Sequence, residues 1–256
     1  MEIIKLNLAR NCLRYLIQTY KIEEIYLPYY ICPSLRQAVQ KENCKIHFYH
    51  IDMNFYPMED FGESDFIVYP NYFGICSKNV LKLADKYKHL IVDNAQSFFM
   101  PHKGFASFNS LRKFFPVADG AYLYIDKKLE NNFIHEKNYN YNFDNFEEFV
   151  KNELRLDKTE IKYMSLDTEL FMQTVDFEKI KEQKLKKFYE YEEKFSNKNI
   201  LKINLSTNDI PYCYPLLTEE QLDIQKLSPN PILRFWSPLP KEFSEYKFYK
   251  NLIPLL

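Results

Sequence analysis

Two charged residues, Asp93 and Lys113, stand in apolar surroundings where their side chains could do chemistry. Asp93 follows the apolar run at residues 90–92, and a carboxylate buried at the end of a strand is costly unless a cation meets it. Lys113 stands among Leu111, Phe114 and Phe115. An apolar pocket favours the neutral form of an amine, which is the form that attacks a carbonyl carbon and makes a Schiff base.

Each of the two residues also has an ordinary interpretation. Asp93 fits a helix N-cap or a turn, and Lys113 fits a surface lysine whose alkyl stem lies along aromatic rings. Together they favour a cofactor site, because pyridoxal phosphate needs a lysine for its aldehyde and a carboxylate that keeps its pyridine nitrogen protonated. Its phosphate needs hydroxyl groups and the amides of a helix N-terminus. We therefore predict a pyridoxal 5'-phosphate site with Lys113 as the catalytic residue.

The segments that must position these residues alternate between strand and helix. Short β-rich runs predict strands at residues 24–27, 45–49, 65–69, 89–92, 105–108 and 121–125. Apolar residues at helical spacing predict helices at residues 8–20, 34–40 and 79–87. This alternation is typical of an α/β fold with a largely parallel sheet flanked by helices, in which reactive groups lie just past the carboxyl ends of the strands.

The second half of the chain has a different character. Residues 127–160 are charged and rich in Asn, with a predicted helix at 146–154, and a long amphipathic helix follows at 177–195. Short β segments are expected near residues 201–203, 212–217 and 232–236. We expect a cofactor-binding sheet domain at 1–130, a connecting helical segment at 131–170 and a small C-terminal α+β domain at 171–256.

Composition excludes several classes of protein. The 34 Lys and Arg nearly balance the 35 Asp and Glu, which argues against a nucleic acid or an anionic membrane as partner. The 4 glycines are too far apart for a dinucleotide or Walker loop. The 5 cysteines form no CxxC pair, which favours free thiols over a metal site or disulfides. With no signal peptide and no long uncharged run, a cytoplasmic location is expected.

Six segments, taken in order, resemble the DegT-like sugar aminotransferases, a family with the aspartate aminotransferase fold, also called fold type I of the pyridoxal phosphate enzymes. The segments read IYLPYYICPS at 25–34, FYHID at 48–52, NYFG at 71–74, VDNAQ at 92–96, SLRKFF at 110–115 with DG at 119–120, and MS at 164–165. Each match is modest, and their common order and spacing indicate the fold.

The resemblance implies a role for the residues that match. Lys113 would bind the cofactor and then carry the proton between the substrate carbon and the cofactor. Asp93 would pair with the pyridinium nitrogen, Gln96 would lie near the phenolic oxygen, and Ser110 would bind the phosphate. Tyr29 or Tyr30 would lie against the cofactor ring, although the usual stacking aromatic of the family aligns nearer Cys32.

The phosphate end departs from the family pattern. Leu8 and Ala9 stand where relatives have a Ser-Gly pair at the start of the first helix. We expect Arg10, Asn11 or Asn7 to make phosphate contacts in their place. At residue 161 an Ile stands where relatives supply an Asn from the neighbouring subunit, which is the family feature that implies a homodimer.

The leading functional prediction is an aminotransferase. It would pass an amino group from glutamate or a similar donor to a keto group of a nucleotide-linked sugar, in surface polysaccharide biosynthesis. The alternative is a non-catalytic relative that kept the fold and the lysine, weakened or lost cofactor binding, and acts as a binding or partner subunit. The two differ in a simple observation, because a protein that holds the cofactor is yellow.

Overall fold

In the computed structural model, which describes residues 1–140, 142–143, 145–220, 236 and 238–256, seven strands form one sheet. Their order across the sheet is β1-β7-β6-β5-β4-β2-β3. The strands are β1 (Glu2–Leu6), β2 (Glu24–Pro28), β3 (Lys45–Tyr49), β4 (Ile67–Pro70), β5 (Leu90–Asn94), β6 (Ala106–Asn109) and β7 (Ala121–Ile125).

The sheet is largely parallel, as the alternation of strands and helices predicts. Strands β6, β5, β4, β2 and β3 run parallel to one another, whereas β7 runs antiparallel to both β6 and β1. Every residue of β4, β5 and β6 is buried, which is typical of strands covered on both faces. The six strands predicted from the sequence are all present within two residues of the expected bounds.

Three helices connect the first strands: α1 (Ala9–Tyr20), α2 (Pro33–Lys41) and α3 (Ser77–Lys86). Their predicted positions are confirmed. α1 buries an apolar face that includes Leu13, Leu16 and Ile17. α2 begins at Pro33, which has no amide hydrogen to leave unsatisfied in the first turn. The short connections place the N-termini of α1 and α2 near the strand ends.

The second half contains α4 (Phe146–Asp157), α5 (Leu166–Met172), α6 (Phe177–Phe195), β8 (Tyr214–Leu217), α7 (Tyr246–Asn251) and β9 (Leu252–Leu255). β8 and β9 pair antiparallel in a separate two-stranded sheet. The predicted bounds of α6 are confirmed. The helix begins at Phe177 because the Asp176 side chain accepts a hydrogen bond from the Lys179 amide at 3.0 Å and fixes the first turn.

One predicted strand, at 201–203, is wrong. Oδ1 of Asn199 accepts the backbone amides of Leu201 and Leu217, at 3.1 and 3.0 Å, so a side chain takes the place of a strand partner. The segment predicted at 232–236 lies outside the described residues except for Trp236.

The two faces of the large sheet have separate cores. On one face, α1 and α2 pack over alternate strand residues such as Ile25, Leu27 and Ile91. On the other face, α3 and the C-terminal segment pack over strand residues such as Tyr69 and Val92. The C-terminal contribution to this second core comes from Leu217, Phe248 and Leu252.

The division into three domains stays a prediction. Among the described residues, no helix combines the length and apolar character that crossing a membrane requires.

Candidate active site

A cavity of about 160 Å³ lies at the carboxyl ends of the central strands. It is bounded by the ends of β4 and β5, the loop after β6, the first turns of α1 and α2, and one side chain of α4. Five of the residues that the sequence predicts to hold the cofactor line it: Arg10, Asp93, Gln96, Ser110 and Lys113. Parallel strands bring these residues together because their carboxyl ends meet at one edge of the sheet.

Lys113 is the last residue of a 3₁₀ turn, Leu111–Lys113, that follows β6. The Leu111 amide donates to the carbonyl of Gly120 at 3.0 Å, and Leu111 itself is fully buried. Gly120 has a φ of 111°, and a Cβ at that position would lie 2.7 Å from Cδ1 of Leu111. The turn that presents the lysine therefore depends on the absence of a side chain at Gly120.

The Lys113 amine is held beside an aromatic ring. Nζ lies 5.5 Å from the centroid of the Tyr212 ring, within the range of a cation–π interaction. Tyr212 is fixed in turn by its amide, which donates to the Phe73 carbonyl at 2.8 Å. The amine is thus positioned by the C-terminal half of the chain as well as by its own turn.

Asp93 is the fourth residue of β5, and it is 8% exposed. Oδ1 accepts the amide of Ala95 at 2.8 Å. Burial raises the pKa of Asp93, while the positive charge of Lys113 and the Ala95 hydrogen bond act in the opposite direction. A cation close to this carboxylate would relieve the cost of burying its charge.

Gln96 carries an unsatisfied donor at the cavity. Its Oε1 accepts the amide of Phe73 at 2.9 Å, and the residue is 4% exposed. Among the described residues, Nε2 of Gln96 has no hydrogen-bond partner. Since buried polar groups are almost always paired, this amide calls for an acceptor oxygen in the cavity.

The start of α1 forms another wall of the cavity. Leu8 is the N-cap residue, with extended backbone and no side-chain capping bond. The first amides of a helix have no partner within the helix and attract anions. Arg10, in this first turn, forms an ion pair of 2.6 Å with Asp157 of α4, and Ser110 stands at the same cavity. This wall suits an anionic group.

Two further residues with predicted cofactor contacts, Asn11 and Tyr30, do not line the cavity, and their cofactor roles stay predictions. Nδ2 of Asn11 donates to Oδ1 of Asn7 at 2.9 Å and to the carbonyl of Glu160 at 3.0 Å, so this side chain braces the segment after α4. Tyr30 is buried in an aromatic cluster, with its ring 4.5 Å from that of Trp236. Of these two rings, it is Trp236 that lines the cavity.

Several lining residues were not predicted from the sequence. Asn71 directly follows β4, and the strand-end rule that selects Asp93 selects it equally. Ser34 lies in the first turn of α2, and a similar argument from helix N-termini applies to it. Cys32, the N-cap residue of α2, lines the cavity at the position near which the stacking aromatic of the family aligns. No sequence signal predicts Glu153 or Trp236, because each reaches the cavity from a distant part of the chain.

A buried carboxylate, Glu136, holds the segment that precedes α1. It accepts from Thr159 Oγ1 at 2.7 Å, from Asn7 Nδ2 at 3.1 Å and from Lys162 Nζ at 3.2 Å. Burial works against its ionisation, but the hydrogen bonds from Thr159, Asn7, the Lys137 amide and Lys162 together outweigh burial and lower the pKa of Glu136 to about 2. The Asn7 carbonyl also accepts the amide of Gly120 at 2.6 Å, which links this network to the turn of the lysine.

The whole chain resembles several solved structures in three dimensions, aminotransferases among them. The putative sugar aminotransferase Spr1654 of Streptococcus pneumoniae, in its PMP form, matches with a TM-score of 0.66 and 14% identity, over 100% of this chain and 81% of that chain. PseC of Helicobacter pylori, an aminotransferase involved in the biosynthesis of pseudoaminic acid, matches with a TM-score of 0.60 and 14% identity, over 100% and 81%. DesV of S. venezuelae matches with a TM-score of 0.62 and 13% identity, over 99% and 78%.

At these identities the likeness establishes the fold, and the predicted aspartate-aminotransferase-like fold is confirmed. No protein-family model matches the sequence. No curated protein matches it either.

Proposed function

We propose that this protein is a pyridoxal-phosphate-dependent aminotransferase. The observation that carries the proposal is the convergence, in one cavity, of the Lys113 amine, the buried Asp93 carboxylate and the unsatisfied Gln96 amide. Each of the three meets a different chemical group of the same cofactor. The fold shared with solved aminotransferases supports the proposal.

The residues present fit the cofactor group by group. Lys113 Nζ is an amine for its aldehyde, and Asp93 is a carboxylate whose cost of burial a pyridinium N–H would offset. Nε2 of Gln96 can donate to the phenolic oxygen. The phosphate would be bound by the first turn of α1, which includes Arg10, and by the Ser110 hydroxyl.

When bound, the cofactor supplies an electron sink for the negative charge left on the substrate carbon after its proton is removed. Lys113 Nζ would hold the cofactor through its aldehyde and, once released, would move the proton between the substrate carbon and the cofactor in each half-reaction. Asp93 would hold a proton at the ring nitrogen of the cofactor, which would keep the electron sink effective. Trp236 contributes an apolar ring to the wall of the same cavity.

For the substrates we propose an amino donor such as glutamate and an acceptor with a keto group on a nucleotide-linked sugar. The similarity to Spr1654, described as a putative sugar aminotransferase, and to PseC, which acts in pseudoaminic acid biosynthesis, supports a sugar acceptor. A role in surface polysaccharide assembly, in the cytoplasm, accords with such a substrate. Both substrates are small molecules, and neither nucleic acid nor membrane is part of the proposal.

We propose a homodimer as the working form. Two helices expose apolar side chains at a spacing of four residues, Phe146, Val150 and Leu154 on α4 and Leu166 and Leu170 on α5, of which Leu154 and Leu170 are 62% and 61% exposed. Apolar side chains exposed on one face of a helix are typical of a surface that another chain covers. Sedimentation of the purified protein at micromolar concentration tests this point.

The second candidate function is a non-catalytic partner subunit, and one observation favours it. Leu8 and Ala9 bring apolar side chains, rather than a hydroxyl and a glycine, to the helix terminus that would face the phosphate. A protein with a weakened phosphate site could keep the fold and lose the cofactor.

Absorbance of the purified protein separates the two functions. We expect a band near the visible region that shifts when glutamate is added and that borohydride fixes to Lys113. The Lys113→Ala variant should lose both the band and the label while keeping the far-ultraviolet circular dichroism of the wild type. A colourless wild-type protein that takes up no added pyridoxal phosphate would exclude the enzyme and favour the partner subunit.

A further inference from the structure

Helix α4 brings two carboxylates to two arginines of the cavity. Glu153 forms an ion pair with Arg112, and Asp157 forms an ion pair of 2.6 Å with Arg10. Glu153 and Asp157 stand one helical turn apart, so they lie on the same face of α4. Both arginines line the cavity, and of the two carboxylates Glu153 lines it too.

Arg112 occupies a special place in the chain. It stands between Leu111 and Lys113 in the 3₁₀ turn that follows Ser110. Its side chain is 13% exposed, and that of Glu153 is 34% exposed. An anion that reached Ser110 and the first turn of α1 would therefore enter the region in which Arg112 and Glu153 meet.

A carboxylate and a phosphate compete for the same face of a guanidinium. The planar fork of an arginine binds either anion with two parallel hydrogen bonds. Two anions on one guanidinium also repel each other, and the repulsion is strong where water is excluded. Glu153 therefore occupies a place at the Arg112 guanidinium that a phosphate oxygen could take.

From this arrangement we infer that Arg112 is a ligand of the cofactor phosphate, and that Glu153 is the internal anion that the phosphate displaces. The inference rests on the proposed function. It also explains how the cavity can hold a phosphate although Leu8 and Ala9 offer no hydroxyl. The hydrogen bond that a serine at residue 8 would donate is replaced by a charged hydrogen bond from Arg112, the residue next to Lys113.

Comparing pyridoxal phosphate with pyridoxal, which has the same ring and aldehyde but no phosphate, tests the inference. The dissociation constant of each is measured by absorbance titration of the apoprotein, without any amino-group transfer. Arg112→Gln should weaken the binding of pyridoxal phosphate about ten- to a hundredfold, as expected for the loss of a charge-assisted hydrogen bond. The binding of pyridoxal should stay unchanged. Glu153→Gln should tighten the binding of pyridoxal phosphate several-fold and should also leave the binding of pyridoxal unchanged.

Matched controls come from an exposed ion pair outside the cavity, Lys86 with Asp60. Lys86→Gln and Asp60→Asn make the same changes of net charge and should leave both ligands unaffected. Retained binding of pyridoxal shows that the Arg112 variant is folded and that Lys113 is reactive.

The outcomes separate the inference from the proposed function. If Arg112→Gln weakens both ligands equally or neither, Arg112 is not a phosphate ligand, while the cofactor site stands. If Glu153→Gln weakens pyridoxal phosphate, Glu153 orients the arginine and does not compete. If the wild type binds neither ligand at Lys113, both the inference and the proposed function fail.

Discussion

The amide of Phe73 donates a hydrogen bond of 2.9 Å to Oε1 of Gln96, and this bond orients the Gln96 side chain. A backbone amide can only donate, so the oxygen of the Gln96 amide must face Phe73 and the nitrogen must face away. Phe73 is itself held in a left-handed conformation, with a φ of 56°, in the tight turn that ends at Gly74. The turn after β4 thereby aims a donor into the cavity.

Changing Gln96 to Glu isolates this donor. The variant keeps an oxygen for the Phe73 amide but replaces Nε2 by a negative oxygen, so we expect affinity for pyridoxal phosphate to fall at least about tenfold. Titration of the apoprotein measures the loss. The control is Gln37→Glu, which adds the same charge on the exposed side of α2. Equal affinities of the Gln96 variant and the wild type would show that Gln96 does not reach the cofactor.

Asp93→Asn should separate cofactor binding from catalysis. The amide keeps an oxygen for the Ala95 backbone N–H, but it cannot hold a proton on the pyridine nitrogen. We expect the variant to keep its colour and to react with glutamate at least about a hundredfold more slowly, a barrier increase of about 2.7 kcal/mol. Stopped-flow absorbance of the single half-reaction measures the rate. A variant that reacts at the wild-type rate would show that Asp93 takes no part in the proposed reaction.

The same substitution should change the pH dependence of stability in the apoprotein. Because burial raises the pKa of Asp93, folding favours its protonated form, and stability is lost as the pH rises from the unfolded pKa of about 3.9 through the folded pKa. The amide that replaces the carboxyl does not ionise, so the Asp93→Asn variant should be no less stable than the wild type at neutral pH. Urea unfolding at several pH values checks this. A clear loss of stability at neutral pH would mean that the Asp93 charge is stabilised in the apoprotein.

Gly120→Ala should disturb the turn that carries Lys113. The new Cβ would lie 2.7 Å from Leu111 Cδ1 and 2.9 Å from Thr168 Cγ2, at a φ that side chains rarely adopt. We expect a loss of about 1–3 kcal/mol in the free energy of unfolding together with weaker binding of pyridoxal at Lys113. Gly62→Ala is the control, because its Cβ would meet nothing closer than 3.4 Å. Equal behaviour of the two variants would contradict the proposed role of Gly120.

Glu136→Gln tests the network that holds the start of α1. The lowered pKa of Glu136, about 2, means that its stabilisation is complete above the unfolded pKa and is lost as the pH falls through about 4 towards 2. The shift corresponds to stabilisation on the order of 3 kcal/mol for this carboxylate, whose side chain is 3% exposed. The variant should be less stable at neutral pH and lose less on acidification. Glu178→Gln, at a site 77% exposed, should show neither effect in the same unfolding experiment.

The sequence alone was sufficient to predict the largely parallel sheet and to place Asp93 and Lys113 at one cavity. Local patterns specify strands and helices, and the strand-end rule then brings Asp93 to the edge at which the loop of Lys113 begins. The bounds of α6 also follow from local signals, namely the Asp176 cap and the apolar spacing.

Other elements depended on partners that are distant in the chain. β1 is a short strand at the start of the sequence, and it is recognisable only through its pairing with β7. The segment at 201–203 has the composition of a strand, but the Asn199 side chain accepts the backbone amide of Leu201. Such competition between a side chain and a strand partner is decided by tertiary contacts and leaves no periodic signal in the sequence.

The residues that line the cavity also divide into those that the sequence predicts and those that only the tertiary structure places there. The order of Asp93, Gln96, Ser110 and Lys113 along the chain was enough to predict that they share one site, because each lies at or after the end of a strand of one sheet. Only the tertiary structure decided that Trp236, rather than Tyr30, lines the cavity, and that Glu153 of α4 pairs with Arg112. The physical reason is that a parallel sheet orders its own strand ends, whereas the packing of distant segments against those ends depends on contacts that sequence spacing does not encode.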